Sequence, residues 1–258
     1  MAWPAAGRRP RSAALVRGTL RPLVNLVLLT PDDLTGLDRA RLTGRRLTHV
    51  RGVHRAEVGD RLTVGLLGGR MGRGTVLRVD DQALELEMTL DQEPPPKRPL
   101  TLVVALPRPK VLNRLVATAT SLGVARIVLL NAWKVEKAYW ASPRMRPDNL
   151  REQMVLGLEQ ARDTVLPELR LARLFRPFVE DELPGLAARG TGLYAHPGTG
   201  GEPPGVLVVP VTLAIGPEGG WIDAEVHSLE RAGLAPVDLG PRILRTETAM
   251  AVLVGRLF

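Results

Sequence analysis

Between Leu100 and Phe258 the chain alternates short apolar runs with longer segments whose apolar residues recur at helical spacing. Leu100-Thr-Leu-Val-Val-Ala-Leu106 is nearly continuous in apolar character, as expected of a strand covered on both faces. Residues 109–122 then carry apolar side chains at 111, 112, 115, 116, 119 and 122, a single helical stripe. Gly123 can end that helix, and Arg126-Ile-Val-Leu-Leu130 begins the next strand. The same reading predicts helices over 148–163, 178–188, 223–232 and 247–257. It predicts strands at Leu171–Leu174, Gly192–His196, Val211–Ile215 and Pro236–Leu239. Strand–helix alternation of this kind specifies an α/β fold with a parallel sheet over residues 100–258.

From about 17 to 90 the grammar is β-rich. Leu84-Glu-Leu-Glu-Met-Thr-Leu90 alternates strictly and predicts a half-buried strand. Thr48-His-Val-Arg-Gly-Val53 reads as part of the same β-rich pattern. Gly59-Asp60 opens a strand through Val64, and Gly68, Gly69 and Gly72 separate it from Gly74–Val79. Short strands at this spacing suggest a small barrel. These glycines are not a dinucleotide fingerprint, because no helix follows them. Asp91-Gln-Glu-Pro-Pro-Pro-Lys-Arg-Pro99 is a semi-rigid linker, since its consecutive prolines favour extended geometry. Residues 1–16 read as a flexible basic tail.

Composition narrows the function. The chain has 35 Lys and Arg against 27 Asp and Glu, a formal charge of +8, and this excess favours polyanionic partners. There is no cysteine, which excludes disulfides and thiolate chemistry, and the His residues lack metal-ligand spacing. No apolar run approaches the ~20 residues needed to span a bilayer, and no secretory apolar region forms behind the basic N-terminus. A cytoplasmic location without metal is the expectation.

Ligands of parallel α/β sheets sit at the carboxyl ends of strands. Three predicted strand ends carry His196-Pro-Gly198, Gly216-Pro-Glu-Gly-Gly220 and Gly240-Pro-Arg242. Glycine lets backbone approach a ligand closely and Gly-Pro redirects the chain; ordinary turns use the same residues. Gly216–Gly220 together with Leu239-Gly-Pro-Arg-Ile-Leu-Arg-Thr-Glu-Thr-Ala249 resembles the signature of the bacterial 16S ribosomal RNA uracil-N3 methyltransferase family of the SPOUT superfamily. Thr48–Arg51 with Val58-Gly-Asp60 resembles that family's PUA-like barrel. Leu106-Pro-Arg-Pro-Lys110, Ala119–Val124 and Glu159–Glu168 resemble further family segments.

The resemblance implies a C-terminal trefoil knot, a homodimer, S-adenosylmethionine as methyl donor and 16S rRNA of the small ribosomal subunit as substrate. It places the donor among His196, Ile215, Gly216, Pro217, Glu218, Gly219, Gly220, Leu239, Gly240, Arg242, Ile243 and Leu244. Arg245, whose planar fork suits bidentate contacts, is expected to hold the base or a phosphate, with an ion pair to Glu247 or to a neighbouring subunit as the alternative. Glu218 is the candidate proton acceptor, or a brace for its own loop. RNA contacts are expected at Arg51, Arg55, Arg108, Lys110, Trp133, Lys134 and Arg162. Trp133, Tyr139 and Trp140, interleaved with Lys134 and Lys137, suit base stacking in a loop, or a buried interface. The chain departs from the family pattern at Ser121, Asn131–Trp133, Arg162 and Ile222, where Asp223 is left to cap the next helix. A catalytically silent RNA-binding or ribosome-assembly protein of the same fold is the alternative.

Overall fold

The computed structural model describes residues 26–258. The tail over 1–16 and the first residues of the 17–90 segment lie outside the described residues. The N-terminal elements are β1 (Val27–Leu29), a 3-10 turn (Pro31–Asp33), β2 (Arg39–Leu42), α1 (Gly44–His49) and a π turn (Val50–His54). They are followed by β3 (Arg61–Leu66), β4 (Met71–Val79) and β5 (Leu84–Gln92). The strands form a five-stranded sheet in the order β1-β3-β4-β5-β2. Strict alternation in β5 puts Leu84, Leu86 and Met88 into a core shared with Val64, Val76 and Leu42. One expectation is overturned here: Thr48–Val53 is helical rather than extended. Leu47 and Val50, three positions apart, are both buried, so a helical turn buries the apolar pair that a strand would send to opposite faces.

After β5 the chain enters β6 (Arg98–Ala105), α2 (Pro109–Ser121), β7 (Val124–Leu130), α3 (Lys137–Trp140), α4 (Pro147–Ala161) and β8 (Glu168–Ala172). A helical stretch follows, built from α5 (Phe175–Pro177), a π turn (Phe178–Glu182) and α6 (Leu183–Ala187). The remaining elements are β9 (Thr191–Ala195), β10 (Val211–Ile215), α7 (Asp223–Arg231), β11 (Ala235–Val237) and α8 (Thr246–Leu257). Six parallel strands pair in the order β11-β9-β10-β6-β7-β8. Central β10 is buried at every position, as a strand sandwiched between helices should be. The predicted stripe of α2 buries Leu112, Leu115, Val116 and Ala119, with Thr120 beside them.

The strand prediction at Leu171–Leu174 is shifted, because Leu169 and Leu171 pair with Ile127 and Leu129 and carry β8 back to Glu168. Asp223 is the first residue of α7, not its cap. Ile222 occupies the cap position, and its amide donates to the buried Glu225 carboxylate at 3.1 Å.

The β3–β4 hairpin is fastened to the end of α4. The Gly68 amide donates to the Thr164 carbonyl at 2.8 Å, and the Thr164 hydroxyl donates to the Gly69 carbonyl. Lys97 Nζ lies 2.6 Å from Asp163 Oδ2, and Asp163 is buried. Leu26, Leu28 and Leu158 complete the seam as a separate apolar cluster.

Candidate active site

Because β9 lies between β10 and β11, the loops leaving all three strands converge at one edge of the sheet. They enclose a cavity of about 280 Å³. His196, Ile215, Gly216, Pro217, Glu218, Gly220, Leu239, Gly240, Arg242, Ile243 and Leu244 all line it, as does Arg245. Of the residues assigned to this site from sequence, Gly219 alone faces elsewhere: its carbonyl accepts a hydrogen bond from Lys134 Nζ at 2.6 Å.

Local chemistry explains the glycines. A Cβ on Gly216 would lie 3.2 Å from the indole of Trp221, which is buried beneath the turn. Gly220 and Gly240 have φ of +71° and +94°, a region that side-chain-bearing residues rarely adopt. The buried His196 Nδ1 has no hydrogen-bond partner within the described residues. An orphaned buried polar atom beside a cavity is a ready contact for a polar ligand.

Sequence reasoning missed Asp238. Its carboxylate accepts the amides of Gly198 at 2.8 Å and Gly240 at 2.9 Å, while its own amide donates to the Gly201 carbonyl at 2.6 Å. One side chain thus clasps the loop after β9 to the loop after β11. The only signal in the sequence is the Asp-Leu-Gly spacing, which suits an Asx turn. The Gly240 amide, helped by those of Gly198, Gly200 and Leu239, holds this carboxyl below the usual aspartate range. The clasp therefore persists above the ordinary aspartate pKa of about 3.9 and is lost only as pH falls through the lower folded value. We expect ligand affinity in the cavity to stay flat down to about pH 5 and to weaken below about pH 4. Asp238→Asn, which cannot accept with both terminal atoms, should weaken it already at neutral pH. Calorimetric titration across pH checks this; equal affinity for Asp238→Asn and the parent at pH 7 would exclude the clasp.

A second, open cavity of about 610 Å³ adjoins the first and shares Glu218 and Arg245 with it. Arg108, Lys110, Arg114 and Arg245 face Glu218 and Glu247 there, an excess of cations. Glu218 accepts the Arg108 amide at 3.2 Å, tying the Gly216–Gly220 turn to the start of α2. Glu247 is taken by Arg114 from α2. Arg245 therefore does not pair with Glu247, and its exposed side chain has no ion-pair partner among the described residues.

Of the other residues singled out, Tyr139 also lines this groove, whereas Arg51, Arg55 and Arg162 do not. Arg51 pairs with Asp81 at 2.6 Å, Arg55 is exposed with φ of 48°, and Arg162 caps α4 with φ of 54°. Tyr139 and Trp140 sit in the short helix α3 rather than a loop, and both pack partly against the core.

The chain's residues 93–257 match the family model described as RNA methyltransferase domain. It is 27% identical over 250 residues to ribosomal RNA small subunit methyltransferase E of Treponema pallidum, covering 88% of this chain and 87% of that protein. The same-named protein of Mycobacterium bovis is 28% identical over 220 residues, with coverage of 80% and 81%. A Legionella pneumophila protein solved in complex with the bound cofactor SAM superposes with a TM-score of 0.68 at 25% identity, covering 90% of this chain and 97% of that one. Ribosomal RNA small subunit methyltransferase E of Neisseria gonorrhoeae, bound to S-adenosyl methionine, shares the fold with a TM-score of 0.70 at 20% identity, over 88% and 94% of the two chains. With its strand-end cavity and basic groove on one catalytic unit, the chain belongs to the RNA methyltransferase domain family.

Proposed function

We propose that the protein transfers a methyl group from S-adenosylmethionine to N3 of a uridine in 16S rRNA of the small ribosomal subunit. The observation that carries this reading is the junction of two cavities at Glu218 and Arg245: one walled by turns and apolar side chains, the other open and basic. The first fits the methyl donor. Backbone around Gly216 and Gly240 is free to approach a ligand, His196 Nδ1 lacks a partner, and Leu239, Ile243 and Leu244 offer apolar contact. When bound, the donor supplies an electrophilic methyl carried on sulfur.

The protein's own residues do the rest. Arg108, Lys110 and Arg245 hold backbone phosphate or the base edge, since guanidinium groups suit bidentate contact. Uracil N3 carries a proton that must leave as the N–C bond forms and the S–C bond breaks. Glu218 is the carboxylate common to both cavities among the described residues, and we assign it as the acceptor of that proton. Holding N3 in line with the methyl is the main catalytic task, because positioning supplies most of the gain when charge is dispersed.

In the same reading, residues 17–90 belong to a PUA-like RNA-binding barrel behind the 1–16 basic tail and 100–258 to a knotted SPOUT domain. The 91–99 segment joins them, although its ends are not linker, because Asp91 and Gln92 finish β5 and Arg98 and Pro99 begin β6. Arg51, Arg55 and Arg162 extend the RNA contact beyond the groove. The protein works in the cytoplasm as a homodimer, and the exposed Ile243 and Leu244 at the cavity, with the exposed Val252 of α8, suit a subunit interface. No helix among the described residues is long and apolar enough to cross a membrane.

The test is direct. Calorimetry should show one S-adenosylmethionine bound per chain, and mass spectrometry of 16S rRNA from a deletion strain should show the loss of one 3-methyluridine. An unchanged modification profile together with no donor binding would replace the enzyme by a silent RNA-binding protein of this fold.

A further inference from the structure

Trp133 is 79% exposed, alone among the aromatic side chains of the described residues. An indole left in water forgoes the large gain of burying its apolar surface, and tryptophan is highly buried on average. The ring is nevertheless not on a loose loop. The Trp133 amide donates to Glu225 Oε1 at 2.7 Å, and Glu225 is itself buried and committed through Oε2 to the cap of α7. Ala132 and Val135 on either side are buried. Lys134 reaches the Gly219 carbonyl at 2.6 Å, fastening the segment to the turn that lines the donor cavity. The indole is presented on a rigid mount two residues along the chain from Glu218 by way of that bond.

Its aromatic neighbours are already engaged. Trp140 Nε1 donates to Asn131 at 2.9 Å and its ring is covered by the Arg173 guanidinium at 5.1 Å, while the Tyr139 hydroxyl donates to Glu136 at 2.9 Å. Trp133 is the most exposed of the three rings, Tyr139 and Trp140 being half-buried.

We infer that Trp133 is a stacking platform for an unpaired RNA base flanking the target nucleotide. The inference rests on the reading of the site as an RNA methyltransferase. Every nucleobase has a π face, so stacking on an exposed ring is tolerant of sequence and well suited to a single-stranded segment. The setting favours nucleic acid as occupant, because the mount is tied to the turn bordering the groove of Arg108, Lys110 and Arg245, and the chain carries +8 overall. A strand whose target base enters that groove offers its neighbouring base to the indole.

The experiment compares the parent protein with Trp133→Ala and Trp133→Phe. Binding of 16S rRNA and of a short single-stranded oligouridylate is measured, with S-adenosylmethionine affinity and oligomeric state recorded alongside. Trp133→Ala should weaken both RNAs by between about fivefold and a hundredfold, as expected for losing one stacked base. Trp133→Phe should keep most of the affinity, and donor binding should be equal in all proteins. RNA affinity unchanged in Trp133→Ala overturns the platform, even if the parent still methylates RNA. So does a variant whose only change is dissociation into protomers, which would make the indole a subunit contact. Failure of the parent to bind any RNA overturns the methyltransferase reading as well.

Discussion

Arg245→Ala lowers methyl transfer at saturating donor by roughly 100-fold or more, the scale on which lost positioning of reactants is felt, while S-adenosylmethionine affinity changes little. The two cavities meet at this side chain, and the nearest structural claim on it is absent. Glu247, the carboxylate that sequence spacing offers it, is held instead by Arg114 across the α2–α8 junction. A guanidinium with no ion-pair partner among the described residues, in a groove of cations, is available to a substrate, and on the proposed reading its loss removes contact to the base or its phosphate. Arg245→Lys should recover part of the rate, because a point charge replaces the charge but not the bidentate geometry. Single-turnover assays with bound RNA separate this from weaker RNA binding. A rate equal to that of the parent would remove Arg245 from the site.

Gly157→Val costs about 3 kcal/mol of stability, the top of the typical range for overpacking a close-packed contact, and should lower the midpoint of thermal unfolding by roughly 6–12 °C for a chain of this size. Gly157 lies in α4 where it crosses α2. A Cβ there would sit 2.5 Å from the Ala117 carbonyl oxygen and 2.7 Å from Thr120 Cβ. The first neighbour is backbone, which cannot rotate aside, so the two helices must separate and open the packed layer over β6 and β7. Gly157→Ala should cost less, since alanine is worth about 1 kcal/mol more than glycine within a helix and offsets part of the clash. Calorimetric melts of the donor-free protein measure both. A midpoint for Gly157→Val within a degree of the parent would show that the helices separate freely.

The helical stripe of α2 and the apolar run of β6 were legible because burial imposes a period that the chain must carry in its own residues. The glycine turns after β10 and β11 were legible for a similar reason: backbone approach and positive φ at Gly220 and Gly240 admit few other residues. Thr48–Val53 is helical against the β-rich pattern around it because its one useful cue, Leu47 and Val50 three positions apart, is too short to establish a helical period, and only tertiary packing buries both on one face. Asp238 was not legible because Asp-x-Gly is the pattern of an ordinary Asx turn, and its second partner, Gly198, lies 40 positions away.

What the amino-acid order settled is therefore local: most of the strands and helices of the α/β region, which turns need glycine, and that the chain carries an excess of positive charge. Strand order was decided elsewhere. Only when β9 lies between β10 and β11 do His196, Gly216 and Gly240 reach one cavity. The same arrangement gives Glu247 to Arg114, leaves Arg245 without an ion-pair partner among the described residues, and mounts Trp133 on Glu225 and Lys134. These are contacts between residues up to 133 positions apart, and a sequence period reports only what repeats within one element. Which charges find partners, and which remain free for a substrate, depends on the way separate elements pack.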